Sequence, residues 1–326
     1  MRGAIIGFGQ VAEHGHLPGY AQTSEVQIVA VVDPAEARRA RAQELIPGVA
    51  TVSTLAELSA RLIDFVDICT PPAMHGEAIL TALEHGWDVL CEKPLLLDLA
   101  EMEQVREAAA TSGRAVVPVH NWKYALVVRR ATAALRAGAI GELRQIEIET
   151  IRTEDCAVAD PARPNWRRDP AIAGGGILTD HGWHAIYLAL HWFGDVPTEV
   201  SAILRRASPA TVENEARLTL GFPNGEARIF LTWTGAHRRN AIRFVGEKAR
   251  MTIDDDVLEL GDESIKFVPA LSAGSHHPDW FAAMLPDVLA SFREPAQARA
   301  AFEEAGRCLA ILRAAYETAS WETTTR

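Results

Sequence analysis

The stretch Ala4-Ile5-Ile6-Gly7-Phe8-Gly9-Gln10-Val11-Ala12 decides the fold. An apolar, strand-like run passes through two glycines directly into a helix-like segment at residues 11–20. This is the spacing of the glycine-rich dinucleotide fingerprint, with alanine in the third glycine position. Gly7 permits the tight turn, Gly9 lets a backbone approach a pyrophosphate, and Ala12 allows close helix–sheet packing. The helix amino terminus at Gln10 and Val11 then stabilises the anion. A glycine pair alone is weak evidence; its place in the first strand–helix unit gives it weight.

Outward from this stretch the alternation continues. Apolar runs at 26–32, 65–69, 89–91 and 115–119 are followed by helix-like segments at 35–45, 73–85, 99–112 and 125–137. That order predicts a parallel sheet with crossover helices. The runs are continuous rather than alternating, as strands covered on both faces require. The texture changes after Gly138-Ala139-Ile140-Gly141. Residues 143–151 alternate, as do segments near 216–222, 227–233, 241–245 and 250–253. Phe222-Pro223-Asn224-Gly225-Glu226 reads as a hairpin turn, with Gly225 expected at positive φ. A helix at 179–193 precedes most of these strands, and helices at 278–292 and 295–320 close the chain. The expected fold class is α/β: an amino-terminal Rossmann, doubly wound parallel sheet (1–121), then a carboxyl-terminal α+β domain with a large open, mostly antiparallel sheet (122–326). The closing helices are free to pack back on the first domain.

Composition excludes several classes. The chain has 326 residues, 48% hydrophobic and 23% charged, which is the balance of a globular protein. A net charge of −11 argues against nucleic acid as a partner. No apolar run approaches the roughly 20 residues that span a bilayer. Strand-like sequence begins at once, so no signal peptide is expected. Cys69, Cys91, Cys156 and Cys308 lack metal-type pairing, which suits reduced thiols in a cytoplasmic protein with no zinc site.

Three loops are expected to face the cofactor. Asp33 ends the second strand, where a carboxylate can bond the adenosine ribose and repel a 2′-phosphate, favouring NAD over NADP. Alternatively, Asp33 caps the helix after Pro34, and Arg38 and Arg39 could restore NADP binding by folding inward. Thr70, Pro71 and Pro72 are placed on the nicotinamide side. His75 is read either as a donor to a phosphate or ribose, or as a cap of the next helix. Cys91-Glu92-Lys93-Pro94-Leu95 sets Lys93 at the carboxyl end of a strand, where open α/β sheets bind ligands; the plain alternative is a solvated turn lysine.

The second informative stretch is Gly174-Gly175-Gly176-Ile177-Leu178-Thr179-Asp180-His181-Gly182-Trp183-His184. Its glycines are read as letting the backbone approach a ligand. Asp180 and His184 stand four apart on one helical face, where a carboxylate can orient an imidazole for acid/base work. A metal site completed by His181 or His191 is disfavoured, since one helix supplies a poor first shell. A structural histidine satisfied by Asp180 stays open.

Gly7-Phe8-Gly9 with His16-Leu17-Pro18, Thr70-Pro71-Pro72 with His75, Glu92-Lys93-Pro94, and the glycine run leading to Asp180 and His184 together resemble the Gfo/Idh/MocA oxidoreductase family. The blocks fall in the family's order from residue 5 to about residue 190. The resemblance implies hydride transfer between NAD(P) and a secondary alcohol or ketone of a sugar, inositol or similar polyol. It implies Lys93 between nicotinamide ribose and substrate hydroxyl, Asp180 holding substrate or orienting the histidine, and His184 exchanging the proton. It also implies a homodimer or homotetramer built through the carboxyl-terminal sheet. Two other functions fit the same residues: a nucleotide-sensing regulator without turnover, and an NAD-dependent glycosidase or eliminase using transient oxidation.

One departure touches the substrate side. Where many relatives carry an arginine followed by an aromatic residue, this chain has His120-Asn121-Trp122-Lys123-Tyr124, and Lys123 is read as the stand-in. Arg152, Trp166 and Arg167 are expected near the same pocket, Trp166 stacking on a ring or packing at the rim. Two arginines there would suit a carboxylate- or phosphate-bearing substrate.

Overall fold

The computed structural model describes residues 1–58, 63–154 and 165–323; Cys156 lies outside them. Two compact units result, Met1–Asn121 with His276–Gly306, and Trp122–Ser275 with Arg307–Arg326. Residues 276–306, grouped from sequence with the second domain, therefore belong to the first unit. The reason is aromatic packing by the helix Pro278–Arg293: Phe281 stacks on His16 at 3.9 Å and meets Tyr20 edge-on at 5.1 Å.

The first unit holds β1 (Arg2–Ile6), β2 (Gln27–Val32), β3 (Ala50–Val52), β4 (Phe65–Ile68), β5 (Asp88–Cys91) and β6 (Val116–Pro118). Their order is β3-β2-β1-β4-β5-β6, and every pairing is parallel. The order reverses between β1 and β4, the switch point outside whose carboxyl ends such sheets bind ligands. Every residue of β4 and β5 is buried, as their continuous runs require. β3 has no apolar run and was not readable from sequence. The helix Leu99–Ser112 starts where Asp98 accepts the N–H groups of Ala100 and Glu101, and it stops at Gly113 with φ 67°.

The second unit is a nine-stranded sheet. It contains β7 (Leu143–Ile151), β8 (Glu199–Arg206), β9 (Glu213–Phe222), β10 (Gly225–Thr232), β11 (Arg239–Gly246), β12 (Arg250–Asp254), β13 (Val257–Leu260), β14 (Glu263–Lys266) and β15 (Ser320–Thr323). The order is β14-β13-β12-β11-β7-β10-β9-β8-β15, antiparallel except at β7–β10 and β8–β15. Alternation sorts its two faces. Ile146, Ile148, Leu218, Leu220, Ile229, Leu231, Ile242 and Phe244 are buried on one, where Trp192 of the helix Trp183–Phe193 meets Phe244 at 4.7 Å. The other carries cross-strand ion pairs such as Arg243–Glu147 at 2.5 Å and Arg239–Glu149 at 3.1 Å. β8, β13, β14 and β15 escaped the sequence reading because charge interrupts their short runs.

The hairpin between β9 and β10 forms, but Gly225 does not take positive φ. A Cβ there would stand 2.2 Å from the Arg144 carbonyl oxygen, so close backbone approach demands the glycine. Gly225→Ala is expected to destabilise the fold by about 1–3 kcal/mol, the usual cost of overpacking, read from the shift in urea midpoint.

Candidate functional site

In the first unit the glycine turn is built as its spacing requires. Gly7 has φ 86°, and its N–H donates to Val32 O at 2.7 Å. A Cβ on Gly9 would meet nothing within 4 Å, so open space stands over the turn. Ala12 is fully buried against the sheet. Phe8 departs from the cofactor-contact expectation. Its side chain is fully buried, its N–H donates to Asp33 Oδ2 at 2.8 Å, and its carbonyl accepts from Arg38 at 3.3 Å.

Asp33 also accepts the Ala35 N–H at 2.9 Å, while the following helix starts with Ala35 as its cap. Asp33 is therefore a brace between the glycine turn and the next loop rather than a helix cap, and a carboxylate retains acceptor sites beyond these two bonds. Arg38 and Arg39 do fold inward: Arg39 donates to the carbonyls of Asp33 (2.7 Å) and Pro34 (2.9 Å).

Beside the switch point, the loop after β4 presents Thr70, whose Oγ1 is buried without a hydrogen-bond partner. An orphaned hydroxyl next to Gly7, with open space over Gly9 and a helix start behind it, fits a dinucleotide. Pro72 is buried in a short turn, and Pro71 precedes it half-buried. His75 is corrected. It is fully buried, with Nε2 2.8 Å from Thr70 O and Nδ1 3.0 Å from Pro94 O and 3.2 Å from Leu95 O. It clamps the Thr70 loop to the Lys93 loop instead of reaching a ligand, and burial lowers its proton affinity.

Lys93 follows β5, half-buried, where the Glu92 N–H extends the ladder to Ile68 O at 2.9 Å. Its own N–H donates to Glu92 Oε2 at 3.0 Å. Glu92 does not face outward as a ligand group: Oε1 lies 3.1 Å from His16 Nε2, and His16 Nδ1 lies 2.8 Å from Asp67 Oδ2. Tyr20 donates to Asp67 at 3.0 Å, and Cys69 Sγ lies 3.3 Å from His16 Nδ1. Burial opposes charge on His16, but the Asp67 carboxylate outweighs it and holds its proton affinity well above the ordinary value. Burial likewise opposes ionisation of Glu92, and His16 and Lys93 pull its carboxyl below the usual range. Burial pushes the Cys69 thiol up to about 12, so it is no nucleophile. His16 is thus an imidazolium donating from both nitrogens, one residue removed from Lys93. Sequence reading missed Asp67 and Tyr20, although an aspartate inside the apolar run Phe65-Val66-Asp67-Ile68 was a visible signal.

In the second unit, Asp180 lies in a π-turn, Leu178–Gly182, leading into the helix Trp183–Phe193. The residues Ala12–His16 after the glycine turn form another; such turns gather at functional sites. His184 is buried, Nδ1 at 2.8 Å from the Tyr187 hydroxyl, with the Trp122 ring stacked on it at 4.9 Å. Trp122 is thereby a wall for the imidazole. Lys123 holds its ammonium 5.5 Å from the Tyr187 ring centre. Asp180 stands 3.4 Å from His181 Nδ1 and 3.8 Å from Arg167 Nε. Arg167 lies on the Trp166 ring at 4.2 Å, and Arg152 is buried at the end of β7.

The glycine run packs against protein rather than ligand. A Cβ on Gly175 would meet the Tyr316 hydroxyl at 2.0 Å, and one on Gly176 the Glu213 carbonyl oxygen at 2.0 Å. Buried Glu213 accepts the N–H groups of Gly176 (2.9 Å) and Leu178 (3.0 Å) and the Tyr316 hydroxyl (2.7 Å). That carboxylate fixes the start of the Asp180–His184 segment.

Residues 1–120 match the oxidoreductase family model with an NAD-binding Rossmann fold, and residues 128–252 match the GFO/IDH/MocA C-terminal domain. The chain belongs to the Gfo/Idh/MocA family. It is 33% identical over 199 residues to an oxidoreductase of Formosa agariphila, covering 59% of this chain and 60% of that protein. It is 30% identical over 200 residues to D-glucoside 3-dehydrogenase of Escherichia coli, covering 60% of this chain and 54% of that protein. This Gfo/Idh/MocA chain thus spans little more than half the length of these curated relatives. The crystal structure of KijD10, a 3-ketoreductase from Actinomadura kijaniata in complex with NADP and TDP-benzene, superposes with a TM-score of 0.85 at 22% identity. It covers 100% of this chain and 99% of that one, and at this identity shows the shared fold.

His16→Leu leaves the buried Asp67 and the part-buried Glu92 carboxylates without their cation, and a loss of about 3–5 kcal/mol is expected in denaturant unfolding near pH 6. The raised proton affinity of His16 is a stabilisation present in full below the ordinary histidine range and lost as pH rises through the folded-state value. The gap between wild type and variant should therefore narrow as pH rises above neutrality; a gap that widens would contradict the charged assignment.

Proposed function

We propose that the protein is an oxidoreductase that moves hydride between a nicotinamide dinucleotide, NAD in preference to NADP, and a secondary alcohol or ketone of a sugar, inositol or related polyhydroxy substrate. The observation that carries this is Lys93, set at the carboxyl end of β5 beside the switch point, with its backbone pinned through Glu92 to the His16–Asp67 pair. Family membership supports it.

The nicotinamide, when bound, supplies the hydride chemistry. Gly7, Gly9 and the helix start at Gln10 and Val11 would hold the pyrophosphate, Asp33 the adenosine ribose, and Thr70 with Pro71 the nicotinamide side. The Lys93 ammonium would stabilise charge developing on the substrate oxygen. His184, its Nδ1 engaged by Tyr187, would exchange the proton through Nε2. Asp180 would orient substrate. The charged outer face of the nine-stranded sheet, where Ile203 is 42% exposed, is the surface assigned to subunit pairing, and light scattering on the full chain tests it.

Absorbance at 340 nm is expected to change with NAD and members of a polyol and ketose panel. Lys93→Ala and His184→Ala should each lower kcat by a factor on the order of 10²–10⁴ while the melting temperature stays within a few degrees of wild type. Activity retained in both variants would remove these roles. Asp33→Asn should raise the NADP-to-NAD ratio of kcat/KM on the order of tenfold, because it deletes a charge facing the 2′-phosphate.

A further inference from the structure

We propose that the substrate carries a carboxylate, and that Arg152, Arg167 and the Asn240 side-chain amide, all in the second unit, receive it. This rests on the oxidoreductase function above and narrows its substrate to polyhydroxy acids.

Sheet register assembles the site. Ile151 of β7 pairs with Thr232 of β10 and with Arg239 of β11. Arg152 therefore stands beside Trp233, and Asn240, paired with Thr150, stands one step back, so all three share one end of the sheet on the face that bears the helix Trp183–Phe193. All three are buried, at 4%, 5% and 1% exposure. The Arg152 guanidinium donates from Nη1 to the carbonyls of Ile151 (2.8 Å) and Arg239 (3.3 Å), and from Nη2 to Asn240 Oδ1 (3.2 Å). Each of these acceptors is neutral. A buried cation whose direct hydrogen bonds all go to neutral dipoles is costly unless an anion joins it.

The nearby carboxylates of Asp255 and Asp180 favour the Arg152 charge through space, but neither hydrogen-bonds its guanidinium. Asp255 spends one oxygen on the Asn240 N–H at 2.9 Å and the other on the Ser272 hydroxyl at 2.9 Å. Asp180 acts on Arg152 through space while standing 3.8 Å from Arg167 Nε. Arg238 adds a like charge. Burial and that repulsion pull the Arg152 guanidinium down to about 10, the state of a cation short of a counter-ion.

Unsatisfied groups point the same way. Asn240 Nδ2, Arg167 Nε and Trp233 Nε1 are buried without an acceptor, and all three are N–H donors. With Asn240 Oδ1 committed to Arg152, its amide hydrogens remain for a ligand. Planar guanidinium and amide donors match the two coplanar oxygens of a carboxylate. A neutral hydroxyl could accept a bond yet would leave the charge uncompensated.

The test is calorimetric titration of the NAD-loaded full chain with D-glucose, D-glucuronate, D-gluconate and D-glucose 6-phosphate, with absorbance at 340 nm followed on the same samples. At least one carboxylate probe is expected to bind tighter than D-glucose by a factor on the order of 10–100, the scale of a hydrogen bond to a charged group. Arg167→Gln, a partly exposed position that spares the sheet, should remove most of that gain, and Arg152→Lys should do the same where it folds. Equal binding of acid and neutral sugar, tighter binding of the phosphate ester, no binding of any probe, or a gain unchanged in Arg167→Gln would each overturn the proposal. Carboxylate-selective binding with no absorbance change under any probe would count against the oxidoreductase function instead, and leave the anion site standing.

Discussion

A charged imidazole held between a buried and a part-buried carboxylate organises the first unit. His16 comes from the helix that begins at the glycine turn, Asp67 from β4 and Glu92 from the end of β5. The three elements diverge in sequence and meet only because the parallel sheet sets β1, β4 and β5 side by side. Each charge alone would be expensive to bury; together they offset one another, and the last oxygen of the chain fixes the backbone of Lys93. His75 adds a second tie between the Thr70 and Lys93 loops. The lysine's position therefore follows from groups behind it rather than from its own loop.

The second unit solves a similar problem with different chemistry. Glu213, at the start of β9, collects two backbone N–H groups and a tyrosine hydroxyl at the entrance to the segment bearing Asp180 and His184. Burial raises its proton affinity against those hydrogen bonds. The glycines at 175 and 176 make room for Glu213 and Tyr316, so their lack of side chains serves the scaffold. His184 is then boxed by Trp122 and Tyr187, which limits its motion without using a charged partner on that nitrogen.

Much of the fold was legible because continuous apolar runs and glycine punctuation are local signals. Five strands of the parallel sheet and most of the alternating strands of the second unit follow from them. β3, β13 and the edge strands β14 and β15 were hidden, being short, and they form because a neighbouring strand offers hydrogen bonds. At the site, residue types were readable but partners were not. Asp33 pointed to the cofactor loop, yet its bonds to Phe8 and Ala35 depend on two loops meeting. Phe8 and His75 lay in the right motifs but turn inward, since what a side chain faces is set by the element packed over it.

The sequence by itself determined the class of fold, the glycine turn, the placement of Lys93 after a buried strand, and the spacing of Asp180 and His184. These rest on periodicity and on backbone conformations that few residues adopt. Only the tertiary structure decided the charge on His16, the bracing by Asp67 and Glu213, the scaffold role of the glycine run, and the unsatisfied donors at the end of the sheet that bears Arg152. Each of those depends on which groups, far apart in the chain, are buried together. Burial sets the strength of a charge and the cost of leaving it unpaired.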